Sequence, residues 1–319
     1  QLIWIRLLGL VFGVSSFAVA TVVAVFLLGL GLGSYFFGKW SERTENPLRI
    51  YMYVEVCIAV TSLASYLVID HLPVYRYLYE SAYNSLDLYG MSVVRLLLSV
   101  AVLLPPVFFI GGTMPLIAKY SLTASTTFGS GFSRIYYLNT LGAFAGALLT
   151  GFVLVRFLGV FVTLMLAVAG NLLVAAIIVV GKSESAPLPE STEANTPYSY
   201  MLFILFLTGF ISLGYEVLWV RILSTYGLST SQAFALIVAG FLLGFSIGSF
   251  LVSLTIDRRH DLETWFSSVC ILTALSGALV LFLFRRFEAL TLLLEKSLSV
   301  DYLNASLALA FVASLIPAI

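Results

Sequence analysis

Trp4-Ile5-Arg6 recurs as Trp219-Val220-Arg221, 215 positions later and in sequence too apolar for water. The same offset, without a gap, relates Phe26-Leu27-Leu28-Gly29 to Phe241-Leu242-Leu243-Gly244, and Gly33-Ser34 to Gly248-Ser249. Two copies of one helical membrane unit need the same packing residues at the same depths, so a tandem repeat of membrane helices accounts for the pattern. The expected fold is all-α: a polytopic transmembrane bundle built from two parallel repeats.

Composition narrows the class. The chain of 319 residues is 61% hydrophobic and 10% charged, against roughly 25% charged in soluble domains. The lipid bilayer is therefore its expected solvent and first partner. Basic and acidic residues balance at 16 each, so no field favours nucleic acid. Cys57 and Cys270 fall inside apolar spans and are too few for a disulfide scaffold or a thiol–metal cluster. His71 and His260 flank spans and read as interfacial residues. The sequence has no His–carboxylate cluster, nucleophile elbow, Walker loop or haem-attachment motif, so no catalytic residue, metal or cofactor is expected. Gly29, Gly31 and Gly33 lie in the middle of an apolar helix, where close helix packing explains them better than a dinucleotide loop. The chain opens on Gln1 without a cleavable signal pattern and stops within an apolar run at Ile319. It reads as a fragment cut at both ends.

A spanning helix needs ~20 apolar residues. Residues 16–38, 50–69, 92–118, 133–157 and 160–181 qualify in the first half, and 199–222, 231–256, 264–284 and 303–319 in the second. Residues 1–8 read as the tail of a further helix. The polar stretch Lys182–Pro197 separates the two halves, giving a first six-helix repeat over 1–181, a linker over 182–198 and a second repeat over 199–319, both incomplete. An even number of helices per unit makes the repeats parallel. Each unit carries an amphipathic stretch between its third and fourth helices. One face holds Leu72, Tyr75, Tyr79, Ala82 and Leu86, the other Phe287, Leu290, Leu294 and Leu298. Lys and Arg divide eight against eight between the two sides, so charge alone does not set the orientation.

Ionisable groups inside spans point most directly to function in a membrane protein. Glu55 lies early in the 50–69 span, with Tyr51 one turn before it. Glu216 follows Tyr215 near Trp219. Asn139 lies one to two turns into its helix. Thr113 belongs to Gly111-Gly112-Thr113-Met114-Pro115, a stretch expected to break a helix and expose backbone toward a cavity. Glu55, Tyr51, Asn139, Glu216, Tyr215 and Thr113 are the candidate binding residues, since a carboxylate ringed by tyrosines can hold a small organic cation by charge and cation–π attraction. Each residue also has a structural alternative: Glu55 can snorkel to the interface or pair with an arginine, Asn139 can bond a neighbouring helix, and the stretch around Thr113 can be a packing kink near the helix end. The Trp4/Arg6 and Trp219/Arg221 pairs read as interfacial anchors. The turn pairs Glu42-Arg43 and Asp257-Arg258 read as latches. Gly142, Ala143, Gly146 and Ala147 read as a packing ridge.

Four elements together carry a family resemblance. They are Tyr215-Glu216-Val217-Leu218-Trp219-Val220-Arg221, the two Phe-Leu-Leu-Gly-x-x-x-Gly-Ser helices, Gly111-Gly112-Thr113-Met114-Pro115-Leu116, and Tyr136-x-x-Asn139-Thr140-Leu141-Gly142-Ala143-x-x-Gly146-Ala147-x-x-x-Gly151-Phe152. In this the chain resembles, over nearly its whole length, the membrane region of the spermidine synthase-like membrane proteins, the fused major facilitator–spermidine synthase proteins. The resemblance implies a major facilitator-like bundle, Lys39–Arg49 on the cytoplasmic side, a bacterial inner membrane location, and handling of a small organic solute such as a polyamine. Many such proteins attach a soluble aminopropyltransferase-like domain, and none of its residues occur here, so that activity would need sequence beyond 319. Two other roles follow from the same reading: a membrane anchor for such an enzyme, or a scaffold subunit contacting other membrane subunits.

Overall fold

A computed structural model describes residues 2–12, 16–71, 73–83, 85–124, 128–181, 231–256 and 261–319, with the isolated positions 203, 206, 207, 209 and 214. These residues are almost entirely helical, with no strand among them. In chain order the helices are α1 (Leu2–Phe12), α2 (Ser16–Ser41), α3 (Pro47–His71), α4 (Pro73–Tyr83), α5 (Leu88–Ala124), α6 (Phe128–Leu148), α7 (Val155–Val180), α8 (Ser231–Thr255), α9 (Leu262–Arg285), α10 (Phe287–Leu298) and α11 (Tyr302–Leu315). Among the described residues, six helical runs are long and apolar enough to cross a membrane: Ala20–Ser41, Pro47–Asp70, Tyr89–Tyr120, Gly131–Val180, Phe234–Thr255 and Thr264–Arg285. The pair Phe287–Leu298 and Tyr302–Ala318, bent by 117°, can supply one more. The chain is an integral membrane protein whose apolar helix surfaces suit contact with lipid.

The run Gly131–Val180 is 50 residues long. At 1.5 Å per residue it would extend roughly 75 Å, more than twice a hydrocarbon core of ~30 Å. It is interrupted by a π-helical stretch at Leu149–Leu154 and breaks at Gly159, where φ is 75° and ψ 176°. That conformation is cheap only without a Cβ. The expected spans 133–157 and 160–181 fall on either side of this glycine.

Compactness divides the chain into Gln1–Thr126 with Val153–Pro189, and Thr127–Phe152 with Glu190–Ile319. Residues 127–152 join the second unit because α6 packs against α8. The boundary expected at the polar linker does not show this, since local composition carries no record of which helix a span will meet.

In the first unit the main contact runs between α2 and α5. A Cβ at Gly33 would collide with the Phe108 carbonyl, and one at Gly111 with the Leu30 backbone. The two backbones therefore touch, as small residues permit in lipid. α5 carries Pro105, Pro106 and Pro115 yet remains one helix. Each proline removes the N–H that would serve the carbonyl four residues earlier, and serine hydroxyls replace two of these donors. Ser34 of α2 donates to the Gly111 carbonyl at 2.9 Å, which Pro115 leaves free. Ser65 of α3 lies 2.7 Å from the Val102 carbonyl, which Pro106 leaves free, with Thr61 O at 2.8 Å as its alternative acceptor. The expected break at Gly111-Gly112 is thus a packing surface within an unbroken helix.

In the second unit two glycines make close approaches at matching offsets. Gly29 meets Val107, and Gly244, 215 residues later, meets Ala318, 211 residues after Val107. Gly33 meets Phe108 and Gly248 meets Ile319 at the same two offsets. The second offset also carries Pro106 onto Pro317. α6 lies against α8 through Ser133, Tyr137, Thr140, Ala147 and Gly151, a heptad face on which Ser246 donates to the Tyr137 carbonyl at 3.0 Å and Gly151 abuts Ala235. Gly142 and Gly146 point into open space instead, so the expected glycine ridge does not form this contact.

Three further expectations change. Trp4 is buried against Phe26, with ring centroids 6.4 Å apart, in a cluster with Leu7, Leu8 and Phe12. It faces the core rather than the interface, because α1 continues to residue 12 and turns its apolar stripe onto α2. In α10 the buried face is Phe287, Leu290, Thr291 and Leu294, while Leu298 is exposed in the last turn. Glu42 and Arg43 are exposed and form no ion pair among the described residues, so they latch nothing there. Trp219, Arg221, Asp257 and Arg258 lie outside the described residues.

Gly33→Val is expected to destabilise the detergent-solubilised protein by ~1–3 kcal/mol, the usual cost of overpacking. Gly31→Val, which meets nothing within 4 Å, should leave the thermal midpoint nearly unchanged. Equal losses at both positions would remove the seam as the explanation. A double-mutant cycle tests the proline argument. Ser34→Ala should cost about 1 kcal/mol in the native background and much less in Pro115→Ala, where the restored N–H serves Gly111. Additive losses would show that the serine and the proline are unconnected.

Candidate functional site

α3 crosses the first unit between α5 and α7. Its side toward α5 carries Val54 and Ile58, which cluster with Phe37 and Leu116, and Ser65. The side toward α7 carries Tyr66, whose ring lies 5.5 Å from that of Phe161. Counting back from Tyr66 by helical steps gives Ser62, Ala59 and Glu55 on the same side, all buried. Glu55 therefore belongs to a helix contact face.

Glu55 is the ninth residue of α3, about 12 Å from the helix start at 1.5 Å per residue. It is 6% exposed. The side chain is too short to carry its carboxyl back to the helix end. Its polar neighbour is Tyr51, one turn earlier, whose phenol interacts with the carboxyl and whose ring packs on the Phe37–Leu116 cluster. Among the described residues Glu55 is in no ion pair, so the expected alternative of an arginine partner is not met there. A carboxylate in such a place has lost water and gained one phenol, which leaves acceptor capacity on its oxygens unfilled.

Sequence reading missed Asn171. It lies on α7, the helix that packs against α3 and whose Phe161 ring meets Tyr66. Asn171 is half-buried and follows Leu164 and Val168, and precedes Ala175, on the buried stripe of α7. The signal that could have found it is an amide on the apolar stripe of a span.

The other candidates fall elsewhere. The Thr113 hydroxyl donates to Ile110 O of its own helix at 2.7 Å. Asn139 belongs to the second unit and is exposed, on the open side that also holds Gly142 and Gly146. Glu216 and Tyr215 lie outside the described residues. A cleft of about 250 Å³ in the second unit is lined by Phe132, Ser133, Tyr136, Phe245, Ser249 and Ile319 among others. No acidic group lines it, so it offers an organic cation no charge to meet.

Arg95, which with Glu55 makes up the buried Lys, Arg, Asp and Glu side chains among the described residues of the first unit, has a structural role. It is 8% exposed. Its guanidinium donates to the Tyr79 hydroxyl at 3.2 Å, and that hydroxyl donates to the Phe12 carbonyl at 3.2 Å. Phe12 ends α1, where carbonyls lack helical donors and the helix dipole is negative. The cation is compensated there without a carboxylate, and the relay ties the amphipathic α4 to α1 and α5. Ser99, one turn on from Arg95, keeps a buried hydroxyl without a partner.

Tyr79→Phe breaks both hydrogen bonds of the relay. The expected loss is roughly 1–3 kcal/mol, with faster amide exchange in α4 and at the end of α1. Unchanged exchange in both segments would mean that the relay does not hold them.

The chain matches no family model, no curated protein sequence and no solved structure.

Proposed function

We propose that this membrane protein binds a small organic cation at Glu55 and Tyr51 and handles it within the bilayer, as a carrier or a membrane binding module. The observation that carries the reading is a carboxylate buried two turns inside a spanning helix, beside a tyrosine and without a counter-ion among the described residues. An acid costs free energy in lipid, and its retention is explained when a cationic group visits it. Tyr51 adds an aromatic surface for an ammonium group beside the carboxylate.

The motif resemblance to the membrane region of spermidine synthase-like proteins makes a polyamine the first ligand to try. It also favours a major facilitator-like pair of parallel six-helix repeats over 1–181 and 199–319 in a bacterial inner membrane. The register-matched glycine seams, with offsets of 215 and 211, support a duplicated unit. Contacts with other membrane subunits belong to this reading as a possibility for assembly, not as part of the binding chemistry.

Spermidine binding to the purified protein, measured by calorimetry, tests the proposal. Saturable binding is expected, with Glu55→Gln weakening it at least tenfold and Asn139→Ala leaving it intact. Binding that survives Glu55→Gln unchanged would place the cation elsewhere. No binding of spermidine, putrescine or a simple alkylammonium would end the reading.

A further inference from the structure

We infer that Glu55 is a proton–cation exchange site: it holds a proton when empty and releases it when an ammonium group arrives. The inference rests on the cation reading above and adds the ion that is traded. A free carboxylate 6% exposed inside a spanning helix lacks the water that would stabilise its charge. A proton neutralises it at least cost until a cationic ligand does so instead.

The surroundings supply no other neutraliser among the described residues. On α3 itself the nearby titratable groups are Tyr51, which interacts with the carboxyl, Tyr53, which is exposed, and Cys57, which is half-buried. α5 presents Phe108–Leu116 along this stretch, where the polar side chain is Thr113, bonded to its own helix. Further along α5, half-buried Lys119 forms no ion pair with Glu55. The buried stripe of α7 carries Asn171 and no charge, and Arg156 lies exposed near the start of that helix. On α4, which packs near the far end of α3, Glu80 is exposed. On α2, Phe37 reaches the cluster while Lys39 points outward.

The exchange balances simply. The Glu55 O–H bond breaks and its proton passes to solvent. The carboxylate then accepts a hydrogen bond from the incoming ammonium N–H, whose charge replaces the proton's. Tyr51 can donate to either form. A carrier built this way couples inward movement of one species to outward movement of the other.

Two measurements on the full chain test this. The first is infrared difference spectroscopy of ligand-free protein in lipid vesicles. A protonated-carboxyl band is expected at neutral pH, absent in Glu55→Gln and shifted to higher frequency in Tyr51→Phe, which removes the phenol. The second adds spermidine to weakly buffered protein with a pH-indicating dye, alongside calorimetry. Release of one proton per bound ligand is expected, lost in Glu55→Gln. If the band is missing in the native protein, Glu55 is already ionised and the exchange is overturned. If spermidine binds without releasing a proton, the exchange is overturned while the cation site stands. If the band behaves as expected but no cation binds, the cation reading fails and exchange fails with it, leaving a protonated structural glutamate.

Discussion

Everything in the first unit depends on backbone touching backbone between α2 and α5. In lipid there is no water to satisfy a carbonyl that has lost its helical donor. α5 contains three prolines, so it needs donors from outside itself. Those donors can arrive only if the neighbouring helix comes close, and it comes close only where Gly33 and Gly111 omit side chains. Ser34, next to Gly33, then reaches the Gly111 carbonyl. The glycines and the serine therefore form one device: one permits the approach and the other uses it.

The same logic places Glu55. Ser65 holds α3 to α5 through the carbonyl freed by Pro106. With that side of α3 fixed, the adjoining side, about 100° round the helix, faces α7, and Glu55 lies on it with Ala59, Ser62 and Tyr66. A rotation of α3 by one residue, about 100°, would carry the acid away from this contact. The serine–proline pairs thus determine which side chains of α3 face α7, although none of them takes part in binding. A scaffold of this kind keeps a buried acid from drifting toward headgroups, where it would titrate as an ordinary surface carboxylate.

Much of this was legible in the sequence, and the part that was not has physical reasons. Helical class, span positions and the break near Gly159 follow from apolar length and from glycine, both of which are local properties. The repeated Gly-x-x-x-Gly-Ser marked the seam because close approach demands small residues at fixed spacing. Which glycines would meet a partner was not local: Gly142 and Gly146 have the same spacing as Gly244 and Gly248, yet they face open space. For Gly111-Gly112-Thr113-Met114-Pro115 the sequence left a cavity-facing break and a packing kink both open, for a similar reason. A proline frees a carbonyl, but the sequence near it does not reveal that a serine 77 positions earlier answers it. Of the candidate site, Glu55 and Tyr51 were visible as an i, i+4 pair.

Arg95 and Glu55 show why burial of a charge is not by itself a sign of ligand chemistry. Both are ionisable, both are buried, and both lack an ion pair among the described residues. Arg95 has the negative end of α1 within reach through Tyr79, so its charge is answered by the fold. Glu55 lies mid-helix, away from any helix terminus, with a neutral phenol as its partner. A helix interior presents no net dipole charge to offset it, and the apolar cluster beside it presents none either. The difference between the two sites is what answers them: the arginine reaches a helix end through Tyr79, with its Nε left without a hydrogen bond among the described residues, whereas the glutamate has only a neutral phenol beside it.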